Sequence, residues 1–76
     1  MELETAKKLK YNDKIHIHYG DTSILGRFES LSKNGYIHYS APYSPSGQKA
    51  HRSIVELHFD TKARLNREED GEKKNG

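Results

Sequence analysis

Residues 23–40, SILGRFESLSKNGYIHYS, decide the fold because two apolar-alternating runs flank a short polar turn. In the first run Ile24 and Phe28 share one face, and such β-branched and aromatic residues are typical of strands. The pair Asn34-Gly35 can adopt positive φ, which is a strong hairpin signal. This stretch therefore predicts two antiparallel strands joined by a tight turn, with Ile37 of the second strand facing the core.

The strand pattern continues on both sides of this hairpin. Residues 14–19, KIHIHY, alternate isoleucine with histidine, and residues 48–53 and 54–59 supply two further short strands. Gly26 inside its strand predicts a strong bend or bulge. Residues 41–47, APYSPSG, are predicted to form a loop, because two prolines and a glycine interrupt a ladder. Five short strands with tight turns predict an all-β fold, a small and strongly bent barrel of the SH3/Sm-like type.

The two ends of the chain differ from this middle region. Leu3, Ala6 and Leu9 recur at three-residue spacing among helix-forming residues, which predicts a short N-terminal helix. Beyond residue 60 the chain is highly charged and poor in apolar residues; a helix could extend briefly to Arg67, but we expect a disordered C-terminal tail. The predicted organisation is one barrel domain with its helix over residues 1–60 and a flexible charged tail over residues 61–76.

Composition excludes several classes of protein. The chain has 76 residues and no cysteine, so a disulfide framework and a thiolate zinc site are both excluded. No apolar run is long enough to span a bilayer, and the first residues lack the order of a secretory signal. We therefore expect a cytoplasmic protein with no membrane partner. A domain this small is marginally stable, which leaves room for a homo-oligomer.

The histidines raise the question of a metal site. His16 and His18 share one strand face, and His38 or His58 could complete a ligand set from neighbouring strands. No acidic residue lies beside them in the first strand, and alternating polar residues are also what a solvated strand face looks like. The solvated face is the simpler interpretation, so we expect no metal and no other cofactor.

The sequence offers little material for catalysis. No pattern places a nucleophile against a base and a third orienting group. There is no glycine-rich phosphate loop ahead of a helix, and a barrel this small has little concave volume. We expect a protein that is not an enzyme.

The clearest functional signal is a segment from Ser30 to Val55 that contains tyrosines and basic residues but no acid. Aromatic rings can stack on unpaired bases while lysine and arginine neutralise phosphates. The pattern favours a non-catalytic nucleic-acid-binding module with a regulatory role, most simply for single-stranded RNA. The candidate binding residues are Lys33, Tyr36, His38, Tyr43, Lys49, His51 and Arg52.

The same residues allow a second interpretation. Tyrosines beside prolines are good surfaces for protein contact, so the chain could be a small adaptor or inhibitor. It would act through the proline–tyrosine loop around Tyr43 or through an exposed strand edge. The partner is thus open between single-stranded RNA, another nucleic acid and a protein.

Two segments resemble a known family. GRFESL, residues 26–31, and AHRSIVEL, residues 50–57, are similar to the bent second strand and the fourth-to-fifth strand junction of the Sm-like proteins. They resemble particularly the bacterial host-factor branch of that family, within the wider group of SH3-like small barrels. The resemblance covers residues 3–59, with His51-Arg52 where that family has a Lys-His pair. It implies a short N-terminal helix, five bent strands, assembly into a ring and a uridine-binding pocket.

Overall fold

The chain folds into one antiparallel sheet with a helix at each end. The computed structural model describes residues 1–42 and 44–75, and across these ranges it has a five-stranded sheet and two helices. The mostly β architecture and the short N-terminal helix are as predicted, although the helix ends at Ala6 and does not include Leu9. The elements are α1 (Leu3–Ala6), β1 (Lys14–Tyr19), β2 (Thr22–Leu31), β3 (Tyr36–Ala41), β4 (Ser44–His51), a 3-10 turn (Arg52–Ile54), β5 (Val55–Leu57) and α2 (Phe59–Asn75).

The strand order is β4-β3-β2-β1-β5, so β4 and β5 are the two edges. No ladder joins these two strands within the described residues, and the predicted barrel is therefore corrected to an open sheet. The sheet is nevertheless strongly curved. A flat sheet of five strands would hold its edge strands about 19 Å apart. The 3-10 turn of only three residues connects those edges and rises about 2 Å per residue, so it can bridge them only if the sheet curls.

The inner face of the curved sheet carries the core. Ile15, Ile17, Ile37 and Val55 are fully buried there. Tyr39 is buried beside them, which confirms the predicted inward face of β3. Side chains alternate along a strand, so the neighbours of these residues lie on the outer face of the sheet.

Strand β4 overturns the loop predicted for residues 41–47. It begins at Ser44 and runs through Pro45 and Gly47, with Tyr43 outside the described residues. Its pairing with β3 shifts register between Ala41 and Tyr39, so extra residues of β4 bulge out of the ladder. Pro45 fits here, as does Gly47 with its φ of +100°, because β4 is an edge strand and the bulge is irregular.

Helix α2 corrects the predicted disordered tail. Thr61 and Leu65, four residues apart, are both buried, and the Thr61 hydroxyl donates a 2.9 Å hydrogen bond to the Lys14 carbonyl. Three of the charged residues in this segment, Arg64, Glu68 and Glu69, form ion pairs with the N-terminal region. Among the described residues, neither helix has the length and apolarity needed to cross a membrane.

Four ion pairs hold α2 against the segment that precedes and begins β1. Arg64 is the most buried cation of these pairs and bonds to both Asp13 and Glu68. Burial lowers the pKa of Arg64, but its hydrogen bonds to the two carboxylates outweigh this effect and raise the pKa above its ordinary value. The pairs are Lys8–Glu69, Lys10–Glu68, Lys14–Asp60 and Asp13–Arg64.

A tyrosine pair makes stability depend on alkaline pH. Burial, together with a hydrogen bond to the Tyr19 hydroxyl, raises the pKa of Tyr39 from 10.0 to about 12. The unfolded chain therefore loses this proton at lower pH than the folded chain. The contribution of Tyr39 to the free energy of unfolding is therefore complete below pH 10. It is lost as pH rises to about 12, at roughly 1.4 kcal/mol per pH unit. We expect Tyr39→Phe to remove this slope.

Urea unfolding between pH 9 and 12 measures the effect. Lysines titrate in the same range, so the relevant quantity is the difference in slope between the wild type and the variant. Tyr11→Phe is the matched control, because Tyr11 is 76% exposed. Equal slopes for wild type and Tyr39→Phe would contradict the prediction.

Candidate nucleic-acid interface

The hairpin of β3 and β4 gathers four of the predicted binding residues on one surface. Tyr36 pairs directly with His51, and His38 pairs directly with Lys49. The intervening pair, Ile37 and Ala50, is buried in the core. Alternation therefore places the other two pairs together on the outer face. We call these four residues, Tyr36, His38, Lys49 and His51, the hairpin face.

The rings and the cation of the hairpin face lie close to one another. The Tyr36 and His51 rings meet edge to face with centroids 5.4 Å apart. The Lys49 ammonium lies 5.6 Å from the Tyr36 ring centroid. An exposed cation–π contact of this length contributes only about 0.5–1 kcal/mol. Lys49 can therefore leave the ring at little cost when a phosphate and a base arrive.

The His51 ring is fixed by the turn that follows it. Its Nδ1 accepts a 3.2 Å hydrogen bond from the Ser53 backbone N–H, which caps the 3-10 turn. With Nδ1 accepting, the proton of the neutral imidazole is on Nε2. This arrangement leaves an N–H donor on the ring side away from the turn.

The three other predicted residues have different situations. Lys33 is exposed in the turn between β2 and β3, at one end of the hairpin face. Arg52 is partly committed to the fold, because its Nη1 donates a 3.1 Å hydrogen bond to the Met1 carbonyl and its backbone N–H bonds to Gly35. Tyr43 lies outside the described residues, so its predicted role stays a prediction.

Positive charge is distributed unevenly over the molecule. The lysines that contact α2, and Arg64 of α2 itself, are neutralised by carboxylates. Within the described part of the chain, by contrast, no ion pair involves Lys33, Lys49 or Arg52. The hairpin side therefore carries cations available to an external anion.

One acid reaches the hairpin that the sequence pattern did not place there. Glu29 is the extra residue where the register of β2 and β3 shifts between Phe28 and Ser30. Its carboxylate accepts a 3.1 Å hydrogen bond from the Gly47 N–H of β4. This bond ties the bulge of β2 to the bulge of β4 and places negative charge at the far end of the hairpin from Lys33.

The β1 histidines belong to another part of the outer face. His16 stacks on His58 with ring centroids 5.1 Å apart, and His18 Nε2 lies 3.4 Å from a Glu56 carboxylate oxygen. His38 is on β3, separated from β1 by the whole of β2. In residues 1–42 and 44–75, no three potential ligands come together to hold a metal ion.

Sequence reasoning missed Arg27 as a surface cation. It lies on the outer face of β2, where it pairs with Lys14 of β1 on one side and Ser40 of β3 on the other. The period-2 pattern of β2 already places Arg27 opposite Gly26 and Phe28, and that pattern was the available signal. Its position beside α2 could not be inferred from this pattern, because it depends on how the C-terminal segment packs against the sheet.

Comparisons with protein-family models, with curated proteins and with solved structures give no match in any of the three. Function must therefore be argued from the residues and their geometry. The Sm-like resemblance remains a prediction on the same footing as the binding residues.

Proposed function

We propose that the protein is a non-catalytic module that binds single-stranded nucleic acid, most simply RNA, through the hairpin face. The observation that carries the proposal is the cross-strand pairing of Tyr36 with His51 and of His38 with Lys49. This pairing sets three rings beside an exposed ammonium that has no ion-pair partner among the described residues. Rings that stack on bases and cations that meet phosphates are the two parts of a single-strand platform.

Each residue of the face has a distinct role in this proposal. A base stacks on Tyr36 and displaces the Lys49 ammonium, which then contacts the adjoining phosphate. The Nε2–H of His51 donates to a phosphate or a base oxygen, and Lys33 supplies charge beyond it. The surface is open and does not exclude water, which is why we propose binding rather than catalysis.

The Sm-like resemblance is part of the same proposal. A short helix followed by five antiparallel strands in a curved sheet agrees with what that resemblance implies. Membership of the family, assembly into a ring and a uridine pocket are finer statements that the proposal includes as hypotheses. A shared fold would not by itself carry the function, so the hairpin face remains the basis of the argument.

A second candidate function is favoured by the position of β4. This strand has eight residues, Ser44–His51, and lies at an edge of the sheet. An edge strand offers unpaired backbone groups to an added strand, as in many peptide-binding domains. A protein partner bound in this way would depend little on salt and little on the charge of Lys49.

Titration with a short single-stranded RNA, at low and moderate salt, tests the proposal. We expect Lys49→Gln to weaken binding by about tenfold and to lower the salt slope by about one unit, since one phosphate contact is lost. Tyr36→Leu, which keeps apolar bulk but removes the aromatic ring, should weaken binding by a similar factor through loss of stacking.

The matched control removes the same charge elsewhere. Lys62→Gln changes an exposed lysine of α2 with no ion pair among the described residues, and it should bind RNA like the wild type. Amide shifts should be largest in residues 33–52 and should fade with salt. Equal affinities for the Lys49 and Lys62 variants, or spectra unchanged by RNA, would contradict the proposal and favour the β4-edge alternative.

A further inference from the structure

A shallow depression lies on the side of the sheet where β1 and β2 meet the beginning of α2. It has a volume of about 260 Å³ and is open to solvent. Four cationic and two anionic side chains line it, so its net charge is positive. These charged residues are Asp13, Lys14, Arg27, Asp60, Arg64 and Arg67.

Both carboxylates of this depression already have partners. Asp13 is paired with Arg64, and Asp60 lies 3.2 Å from the Lys14 ammonium. Arg27 and Arg67 form no ion pair within the described part of the chain. The excess charge of the depression therefore belongs to these two guanidinium groups.

Two further features strengthen the positive potential. The Nε–H of Arg64, a residue that lines the depression, is buried and has no hydrogen-bond partner among the described residues, so this donor is unused within the chain. Helix α2 begins at the rim of the depression, and the N-terminal end of a helix carries partial positive charge. Among the described residues, the Arg27 guanidinium makes only a long hydrogen bond of 3.5 Å to the Asn12 carbonyl, which leaves it available.

We infer that this depression is a subsite for a phosphate group, held between Arg27 and Arg67. Guanidinium groups bind phosphate oxygens in a bidentate fork and are well suited to this ligand. The volume is below that of pockets for drug-sized ligands, so it accommodates the phosphate rather than a whole nucleotide.

The subsite extends the proposed function, on which its connection to nucleic acid rests. Arg27 pairs across the sheet with Ser40, two residues along β3 from His38 of the hairpin face. A single strand lying on that face and crossing β2 would bring one of its phosphates to Arg27. A free phosphorylated small molecule presents the same chemistry, and the two sources can be distinguished.

Titration of the full chain with inorganic phosphate, at constant ionic strength maintained with chloride, tests the subsite by NMR. We expect saturable shifts of the Arg27 and Arg67 Nε–H signals and of the Asn12 and Thr61 amides. Arg27→Gln and Arg67→Gln should each weaken phosphate binding by about tenfold, since a charge-assisted bidentate contact is lost. Lys62→Gln, which removes a charge outside the depression, should bind phosphate like the wild type.

Shifts that do not saturate, or equal phosphate affinities for the Arg27 and Lys62 variants, would overturn the inference. RNA titration of Arg27→Gln then identifies the source: weaker RNA binding with a lower salt slope assigns the subsite to a polynucleotide phosphate. Unchanged RNA binding, with phosphate binding lost, assigns it to a free phosphorylated molecule. If RNA binding depends on Lys49 but phosphate binding does not saturate, the subsite is refuted and the proposed function stands. If phosphate binding saturates but RNA does not bind, the proposed function is refuted and the subsite stands.

Discussion

Replacing Ile37 with alanine is expected to lower the free energy of unfolding by about 2–5 kcal/mol. Ile37 is fully buried and lies opposite Leu31 on one side and Ala50 on the other. A chain of this length is stabilised by only roughly 4–11 kcal/mol in total. The cavity left by the substitution would therefore remove a large part of the stability.

The effect reaches the hairpin face because Ile37 lies between Tyr36 and His38 on β3. Chemical denaturation followed by circular dichroism gives the change in free energy. Ile37→Val removes one methylene group and should cost about 0.5–1.5 kcal/mol while leaving RNA binding intact. Leu25→Ala, at a residue 42% exposed on the outer face, should change stability by less than about 0.5 kcal/mol. An Ile37→Ala variant as stable as Leu25→Ala would refute the assigned core.

The central strands could be predicted from the sequence because short-range patterns determine them. The bounds of β1, Lys14–Tyr19, follow from the alternation of isoleucine with polar residues. The turn at Asn34-Gly35 fixes the register of the next hairpin, and the structure gives Gly35 a φ of +83°. Tyr36 and His38 could be placed on the outer face for the same reason, since neighbouring alternation settles which residues face the core.

The features that were missed depend on contacts between distant parts of the chain. The charged residues of α2 suggest disorder when read alone, yet Glu69 pairs with Lys8 and Arg64 pairs with Asp13, 61 and 51 residues away. The two buried residues Thr61 and Leu65 give too weak a local pattern to reveal the packed face. Without that helix, the juxtaposition of Arg27 and Arg67 could not be inferred.

The loop predicted where β4 begins was wrong, because the free-energy cost of a proline in a strand depends on the position of that strand in the sheet. Pro45 would break a central ladder, but β4 is an edge strand and its extra residues interrupt the ladder at a register shift. The predicted closure of the sheet into a barrel was also wrong. β5 has only three residues, and all of them pair with β1 rather than with β4.

Replacing Gly26 with alanine is expected to destabilise the fold by about 1–3 kcal/mol, because the added methyl group overpacks the core. A Cβ at this position would lie 2.8 Å from Ile17 Cδ1 and 3.0 Å from the Ser40 carbonyl oxygen. The carbonyl belongs to the backbone of β3 and cannot move without disturbing the ladder with β2. Gly26 was predicted to mark a bend or a bulge; the bulge lies at Glu29 instead, the bend stays a prediction, and the glycine permits close approach of the core.

A double-mutant cycle separates this overpacking from a general loss of stability. Ile17→Val removes the Cδ1 atom that lies nearest the added methyl group, and alone it should cost about 0.5–1.5 kcal/mol. In the Gly26→Ala background the same change should cost less or stabilise, giving a coupling of at least about 0.5 kcal/mol. The double variant should still unfold more easily than Ile17→Val alone, because the contact with the Ser40 carbonyl remains. Additive effects would show that the space around Gly26 is not limited by Ile17.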